Sequence, residues 1–263
     1  MNPKEINKLL EKVKSGEVSV DEAQTELLQY SFEDLSFSRT HQNMIHSGMP
    51  DVIFCPGKTT EQIISAFLNI AEKGNNVLAT RADEKIFDAL IRTGRLPRLK
   101  FDKIARTIIL EQKTFEHSVS LLPIITGGAA DLPVASEARA TAEIMGHNAE
   151  IISDVGKTGM YKLVTQLKKL REANVIIVVA GMEGSLPSVV AGLVDCPVIA
   201  VPTSVGSGAS FQGIAPLLTM LNSCSPGVSV VNIDNGYAAA VCAVMINKKL
   251  ETAKVESVLS SHF

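Results

Sequence analysis

From Val119 to Asn247 the chain alternates short apolar runs with stretches of helical spacing, five times over. Val119–Ile125, Glu150–Ser153, Val175–Ala180, Pro197–Val201 and Val228–Val231 read as strands. Leu132–Met145, Met160–Arg171, Leu186–Val194, Gln212–Asn222 and Tyr237–Asn247 read as helices. Val175–Ala180 and Pro197–Val201 are apolar on both faces, as strands covered from both sides must be. Five strand–helix pairs in a row predict an α/β fold, a doubly wound parallel sheet with helices on both faces. Each apolar run stops at a loop of small residues. In open sheets of this kind the ligand lies beyond the carboxyl ends of the strands.

The preceding segment is built differently. Residues 3–30 predict two helices, the first ended by Gly16 and the second capped by Ser19. Ser31–Pro50 is polar, and its Arg39, His41 and His46 read as a solvated loop rather than a metal pair. Val52–Phe54, Val77–Thr80 and Ala105–Leu110 predict strands of a small βαβαβ-like unit. Its first helix is capped by Thr59, with Gln62 completing a capping box. Glu111–Ser118 reads as a linker. The expected domains are therefore 1–116, helical plus small α/β, and 117–263. Leu250–Phe263 reads as a tail after the last helix, suited to exchange or docking.

Composition narrows the class. The 263 residues are 46% hydrophobic and carry a net charge of −3, enough apolar side chains for a sizeable core and no basic excess. Nucleic acid and anionic membranes are not expected as partners. No apolar run has the length of a membrane span, and the N-terminal residues lack a signal-peptide core. Cys55, Cys196, Cys224 and Cys242 have no metal-ligand spacing, and Cys196 and Cys242 read as small core hydrophobes. The expected setting is a reducing cytoplasm.

Four loops carry the candidate chemistry. Gly127-Gly128-Ala129-Ala130-Asp131 follows the first strand of the sheet. Its glycines would let backbone N–H groups approach a phosphate, while Asp131 could equally be a plain helix cap. Asp154, Gly156 and Lys157 follow the second strand. They fit either a phosphate and ribose contact or an ordinary helix start. Glu183, between Gly181-Met182 and Gly184-Ser185, has no partner nearby in sequence, and partial burial would suit it to proton transfer; a solvated loop carboxylate or a cap for the helix from Leu186 is the other reading. Thr203, Ser204, Gly206, Ser207 and Gly208 form a hydroxyl-rich loop suited to closing over a phosphorylated ligand. Cys224 follows the Gln212–Asn222 helix. A helix carboxyl end disfavours a thiolate, so nucleophile and inert residue both stay open there.

These motifs resemble known families. Residues from about 118 to 247 resemble the class I phosphoribosylaminoimidazole carboxylase/mutase family, the AIR carboxylases. More specifically, nearly the whole chain resembles the nickel-pincer nucleotide cofactor biosynthesis proteins of the LarB family. The resemblance rests on Ala180-Gly181-Met182-Glu183-Gly184, Val201-Pro202-Thr203-Ser204-Val205-Gly206, Leu221-Asn222-Ser223-Cys224, Asn232-Ile233-Asp234-Asn235-Gly236 and Gly57-Lys58-Thr59-Thr60-Glu61-Gln62.

The resemblance implies a flavodoxin-like, AIR carboxylase-like sheet and a carboxylase/hydrolase acting on nicotinic acid adenine dinucleotide. It implies Cys224 as nucleophile and Glu183 as base. Gly127, Gly128, Asp131, Asp154, Gly156, Lys157, Thr203, Ser204, Gly206, Ser207, Gly208 and Asn222 would bind substrate. Carbon dioxide or bicarbonate would be co-substrate, and Mg2+ would enter on the substrate diphosphate without a dedicated protein cage. No tightly bound organic cofactor is expected. The assembly implied is a homo-octamer.

Gly127–Asp131 lacks the serines, and Ser153–Thr158 the histidine, of the aminoimidazole enzymes. That counts against the alternative purine substrate. A non-catalytic nucleotide-binding protein is the alternative of another class.

Overall fold

The computed structural model describes residues 3–24, 50–115, 117–156, 159–206 and 208–260, the side chains of 3–5 and 254–260 aside. The chain divides into two compact units, Met1–Met49 and Pro50–Phe263. In the first, α1 (Pro3–Ser15) ends at Gly16, whose φ of +76° suits a residue without Cβ. Ser19 then caps a helical turn over residues 20–24. Its Oγ accepts from the Glu22 N–H at 3.2 Å, and the Glu22 carboxylate accepts from the Ser19 N–H at 2.9 Å. Arg39, His41 and His46 lie outside the described residues.

The second unit holds two sheets. The first runs β1 (Asp51–Phe54), α2 (Thr60–Glu72), β2 (Val77–Thr80), α3 (Glu84–Arg92), β3 (Lys100–Asp102) and β4 (Thr107–Leu110), in the order β1-β2-β4-β3. The Thr59–Gln62 capping box starts α2 as expected. The expected βαβαβ path is corrected at its last step. β1 and β2 are parallel, but β4 returns antiparallel to β2 because an additional strand, β3, pairs with it as a hairpin. The turn is local chemistry. The Asp102 carboxylate accepts from the N–H groups of Ile104 and Ala105, at 2.8 and 2.9 Å. The segment expected to be a free linker is tied at its start, where the buried Asn76 amide oxygen accepts from the N–H groups of Gln112 and Lys113, both at 2.7 Å.

The second sheet has five parallel strands. They are β5 (Leu121–Thr126), β6 (Asn148–Ile152), β7 (Ile176–Ala180), β8 (Val198–Pro202) and β9 (Val228–Val230), in the order β6-β5-β7-β8-β9. The central strands β7 and β8 are buried at every position, which is why their sequences do not alternate. The connecting helices are α4 (Leu132–Ile144), α5 (Tyr161–Arg171), α6 (Leu186–Ala191), α7 (Ile214–Leu221) and α8 (Gly236–Ser260). Helices α5, α6 and α7 cover one face through Leu163, Leu170, Leu186, Val190 and Met220, packed on Ile176, Val178, Val198 and Ala200. Helices α4 and α8 pack together, and their buried positions are mostly alanine, including Ala135, Ala138, Ala239, Ala240 and Ala243. Small side chains let the two helices approach closely.

Two expectations about the C-terminal region are corrected. The last helix does not stop at Asn247. It continues to Ser260, because no proline or glycine interrupts it after Gly236. Glu251 is also held in place, accepting from Ser118 Oγ at 2.5 Å and from the Ser120 N–H at 3.2 Å, so this part of the helix is docked rather than a free arm. Cys242 is exposed, not a core residue, whereas Cys196 is half-buried and packs against the core. The run around Cys242 is apolar on all sides, whereas only one side of α8 meets α4 and the sheet. Among the described residues, no helix is long and apolar enough to cross a membrane.

Candidate active site

In the sheet order β6-β5-β7-β8-β9, the direction in which successive strands are added reverses between β5 and β7, the connection from β5 leading to β6 on one side and that from β7 to β8 on the other. The loops leaving β5 and β7 therefore diverge and leave a crevice between them. A cleft of about 910 Å³ lies there, walled by Gly127–Asp131, Asp154, Gly156, Met160, Ala180–Leu186, Val189, Val205 and Gly206. That volume is near the top of the roughly 300–1,000 Å³ usual for small-molecule sites.

Close backbone approach shapes the walls. A Cβ on Gly181 would lie 2.1 Å from the Val205 carbonyl oxygen and 2.6 Å from Thr203 Oγ1, so only glycine lets the loops after β7 and β8 meet. Gly184 (φ +65°) lies equally close to Pro216 at the start of α7, where a Cβ would sit 2.7 Å from its Cα. Between them Met182 takes a left-handed backbone, φ +49°, and is exposed. Strain of this kind persists only where surrounding packing over-determines it.

Asp131 is buried behind the cleft. Its Oδ1 accepts from Thr203 Oγ1 at 2.7 Å, and its Oδ2 accepts from the Gly128 N–H at 2.9 Å. It makes no side-chain bond to the N-terminus of α4, so its role is to tie the loops after β5 and β8 rather than to cap the helix. Burial pushes its carboxyl above the usual range, opposed by the hydrogen bonds from Thr203 and the backbone of Gly128 and Gly181.

Glu183 stands on the cleft rim and is exposed, with Ser185 Oγ donating to its Oε1 at 3.5 Å. The partial burial expected for it is absent in the single chain. Asp154 and Gly156 also line the cleft. Asp154 faces Lys162 Nζ at 3.7 Å, and the Gly156 N–H donates to the Gly127 carbonyl at 2.8 Å. Thr203 supports Asp131. Ser204 donates its N–H to Asp234 Oδ1 at 2.7 Å. Gly206 lines the cleft, while Gly208 lies outside it in open space. Lys157 and Ser207 fall outside the described residues.

Cys224 and Asn222 are not on the cleft wall. Asn222 is the C-cap of α7, and Cys224 sits in the loop leading into β9, exposed. The neighbouring Ser223 shares a 2.8 Å hydrogen bond with Ser188 in the first turn of α6, and Ser225 Oγ donates to the Ser188 carbonyl at 2.8 Å. Cys224 is not among the residues that wall the cleft on whose rim Glu183 stands.

Three residues not assigned a role from sequence support the site from behind. Arg81 Nη2 donates to the Asp234 carbonyl at 2.7 Å, joining the first sheet to the loop that holds Ser204. Glu137 on α4 is buried, and burial pushes its carboxyl up to about 7, with the Arg81 and Arg106 guanidiniums and the Gly236 N–H opposing. A glutamate in the otherwise small-residue run Ala135-Ser136-Glu137-Ala138 was the available signal. Asp234 belongs to the Asn232–Gly236 motif, but its part in bracing the cleft required the fold. Among the described residues no group of three or more His, Cys, Asp or Glu side chains is placed to hold a metal.

A parallel sheet with a glycine-walled cleft at its switch point defines a doubly wound α/β protein. Comparison makes the class specific. The AIR carboxylase family matches residues 121–262, and the LarB/PurE-like N-terminal domain family matches residues 32–113. The chain belongs to the AIR carboxylase family, in the architecture that carries a LarB/PurE-like N-terminal domain ahead of the carboxylase domain.

The uncharacterized protein MJ0165 of Methanocaldococcus jannaschii is 42% identical over 254 residues, covering 93% of this chain and 98% of its own. An N5-carboxyaminoimidazole ribonucleotide mutase of the same organism is 35% identical over 129 residues, 48% of this chain and 78% of its own. A crystal structure of Treponema denticola PurE2-S38D covers 54% of this chain and 95% of its own, at 22% identity and a TM-score of 0.39.

Proposed function

We propose that this protein carboxylates the pyridinium ring of nicotinic acid adenine dinucleotide and hydrolyses its phosphoanhydride, releasing pyridinium-3,5-biscarboxylic acid mononucleotide and AMP. The observation that carries the reading is the pairing, in one chain, of a LarB/PurE-like N-terminal domain with an AIR carboxylase domain whose cleft bears Glu183.

The chemistry follows from the electron demand of the ring. A pyridinium does not attack carbon dioxide. Addition of the Cys224 thiolate forms a C–S bond and turns the ring into an enamine, whose nucleophilic carbon attacks carbon dioxide. Glu183 then takes the proton from that carbon. The C–S pair leaves with the thiolate and the aromatic ring returns. Glu183 is exposed in the free cleft, so the substrate itself would have to cover it. The glycine-walled loops at Gly127–Asp131 and Gly181–Ser185 would receive the phosphates. Mg2+ on the diphosphate would assist attack of water on phosphorus, and Asp154 on the cleft wall is a carboxylate that could hold one of its waters.

One observation favours a second reading, N5-carboxyaminoimidazole ribonucleotide mutase. The mutase of Methanocaldococcus jannaschii shares 35% identity over the carboxylase domain, and that activity needs no thiol. Mass spectrometry separates the two. Incubation with nicotinic acid adenine dinucleotide, bicarbonate and Mg2+ should yield the biscarboxylate mononucleotide and AMP. Turnover of N5-carboxyaminoimidazole ribonucleotide in their place would establish the second.

A further inference from the structure

A second place in the molecule gathers positive charge. Three loops meet at the carboxyl ends of the parallel pair β1 and β2, and each brings one cation. Lys58 follows β1, Arg81 follows β2 and Arg106 precedes β4. Because β4 runs antiparallel to β2, it starts at the edge where β1 and β2 end. None of the three lines the cleft between β5 and β7.

The cations are close to one another. Arg106 Nη2 donates to the Arg81 carbonyl at 3.5 Å and its Nε to the Ala82 carbonyl at 3.4 Å. The Arg81 guanidinium lies 5.2 Å, and Lys58 Nζ 6.0 Å, from the centre of the Phe54 ring. Lys58 Nζ also donates to the Phe54 carbonyl at 2.7 Å. Arg81 and Arg106 both take a left-handed backbone, each with φ of +53°. Strain of this kind collects where a ligand or a switch is held.

Their charge is poorly compensated. Among the described residues none of the three forms an ion pair, and each donates to backbone carbonyls instead. Arg81 and Arg106 act on Glu137, but burial raises that carboxyl to about 7, so it is partly protonated at neutral pH. Asp83 is the other carboxylate near Lys58 and Arg106, and its Oδ1 caps α3 by accepting from the Ile86 N–H at 2.9 Å. Like charges held together repel, and an anion among them removes that cost. The amino end of α2 is already closed by the Thr59–Gln62 box, with the Glu61 carboxylate turned back on its own N–H and on Thr59, so the cations themselves carry the site.

The ground beside them suits more than a bare ion. Phe54 pairs with Thr80, and Ala79 with Ile108, so Phe54, Thr80 and Thr107 form one row across β1, β2 and β4. The row lies on the face opposite Ile53, Ala79 and Ile108, which belong to a hydrophobic core. At its inner end Thr107 Oγ1 is buried with no hydrogen-bond partner among the described residues. At its outer end Phe54 is 47% exposed. Two planar guanidiniums and one ammonium match a phosphate, and an open aromatic ring matches a planar base.

We propose that this edge is a second nucleotide site, outside the cleft, that binds a nucleoside monophosphate group with its phosphate among Lys58, Arg81 and Arg106 and its base against Phe54. A free mononucleotide and the adenylate end of a dinucleotide present the same chemistry there. The site does not rest on the pyridinium carboxylase reading.

The chain contains no tryptophan, so Phe54→Trp places a single fluorophore at this edge. Titration of the full chain carrying it with AMP should change the emission and saturate, and adenosine should bind at least tenfold more weakly. Adding Lys58→Ala or Arg106→Ala should weaken AMP more than tenfold. In equilibrium dialysis without the tryptophan, the Lys58→Ala/Arg106→Ala double variant should hold one AMP fewer per chain than wild type. Gly181→Ala obstructs the cleft and leaves this edge intact, so it separates the two sources. An emission response to nicotinic acid adenine dinucleotide that Gly181→Ala weakens assigns the edge to the far end of a dinucleotide seated in the cleft. A response that Gly181→Ala leaves unchanged, or none while AMP still responds, assigns it to a free mononucleotide. Both results uphold the site, whether or not the dinucleotide is turned over. Adenosine binding as well as AMP, an AMP response untouched by Lys58→Ala and Arg106→Ala, or equal AMP stoichiometry in the double variant and wild type overturns the proposal.

Discussion

Thr203 Oγ1 donates to Asp131 Oδ1 across 2.7 Å, joining the loop after β8 to the loop after β5 beneath the cleft floor, with both residues buried. The pair spans 72 positions in sequence, yet it sets the spacing of two walls of one site. Thr203→Val keeps the shape and removes the donor. A buried carboxylate that loses a partner costs on the order of 1–3 kcal/mol. Urea denaturation at neutral pH should show that loss, and nucleotide affinity should fall with it. An unchanged midpoint would mean that water replaces the hydroxyl without cost.

Glycine at two neighbouring walls gives a contrasting pair. Gly181→Ala would place a Cβ 2.1 Å from the Val205 carbonyl oxygen, so a backbone loop has to move. Gly128→Ala would meet nothing within 4 Å at a φ of −152°. The first should lose more than tenfold in turnover or nucleotide affinity, with a stability cost on the order of 1–3 kcal/mol. The second should stay within about 0.5 kcal/mol of wild type. Equal behaviour of the two in thermal melts and binding titrations would contradict this account of the cleft walls.

Glu137 makes stability depend on pH in a stated direction. Burial raises its folded-state pKa to about 7, above the ordinary glutamate value of 4.5. Between those values the folded chain binds more protons than the unfolded chain, so this group's contribution falls as pH rises. The contribution is fully present below about pH 4.5 and lost by the time pH passes 7, a change on the order of 3 kcal/mol. Glu137→Gln retains an acceptor for the Gly236 N–H and removes the titration. Denaturant midpoints for the wild type from pH 5 to pH 8 should slope downward relative to the variant. Parallel curves would show that Arg81 and Arg106 already hold the carboxylate ionised.

The covalent mechanism assigns different failures to Cys224 and Glu183. Cys224→Ala and Cys224→Ser should both abolish ring carboxylation, since a serine hydroxyl without an adjacent base is a far weaker nucleophile. Glu183→Gln should still form the thiol adduct, visible as a dihydropyridine absorbance, without releasing the biscarboxylate. Cys196→Ala and Cys242→Ala should keep the chemistry. The half-buried Cys196 should cost on the order of 1 kcal/mol and the exposed Cys242 less. Normal carboxylation by Cys224→Ala would end the covalent proposal.

Much of the fold was legible because its signals are local. The all-apolar runs Val175–Ala180 and Pro197–Val201 are short enough to read as strands buried on both sides, and helices between them pointed to a parallel sheet. The Thr59–Gln62 box and Gly16 marked their helix ends because capping depends on neighbours three residues away. The β3–β4 hairpin was missed. Lys100–Asp102 is only three residues long and exposes its first, so no periodicity announces it, although Asp102 at the turn was a readable sign.

The residue types of the site also came from the sequence: Glu183 between glycines, Asp131 after a glycine pair, Cys224 in an uncharged stretch. Which of them meet did not. Strand order alone puts the loops after β5 and β7 on one crevice, and order is set by long-range pairing that no local pattern encodes. Cys224, in the loop between α7 and β9, is not among the residues that wall that crevice. Arg81 reaching Asp234 across 153 positions, and Glu137 buried on a helix of small residues, are likewise products of packing. Sequence determined the groups and the local geometry that carries each; tertiary structure decided the distances between them, since those depend on side chains far apart in the chain sharing one desolvated core.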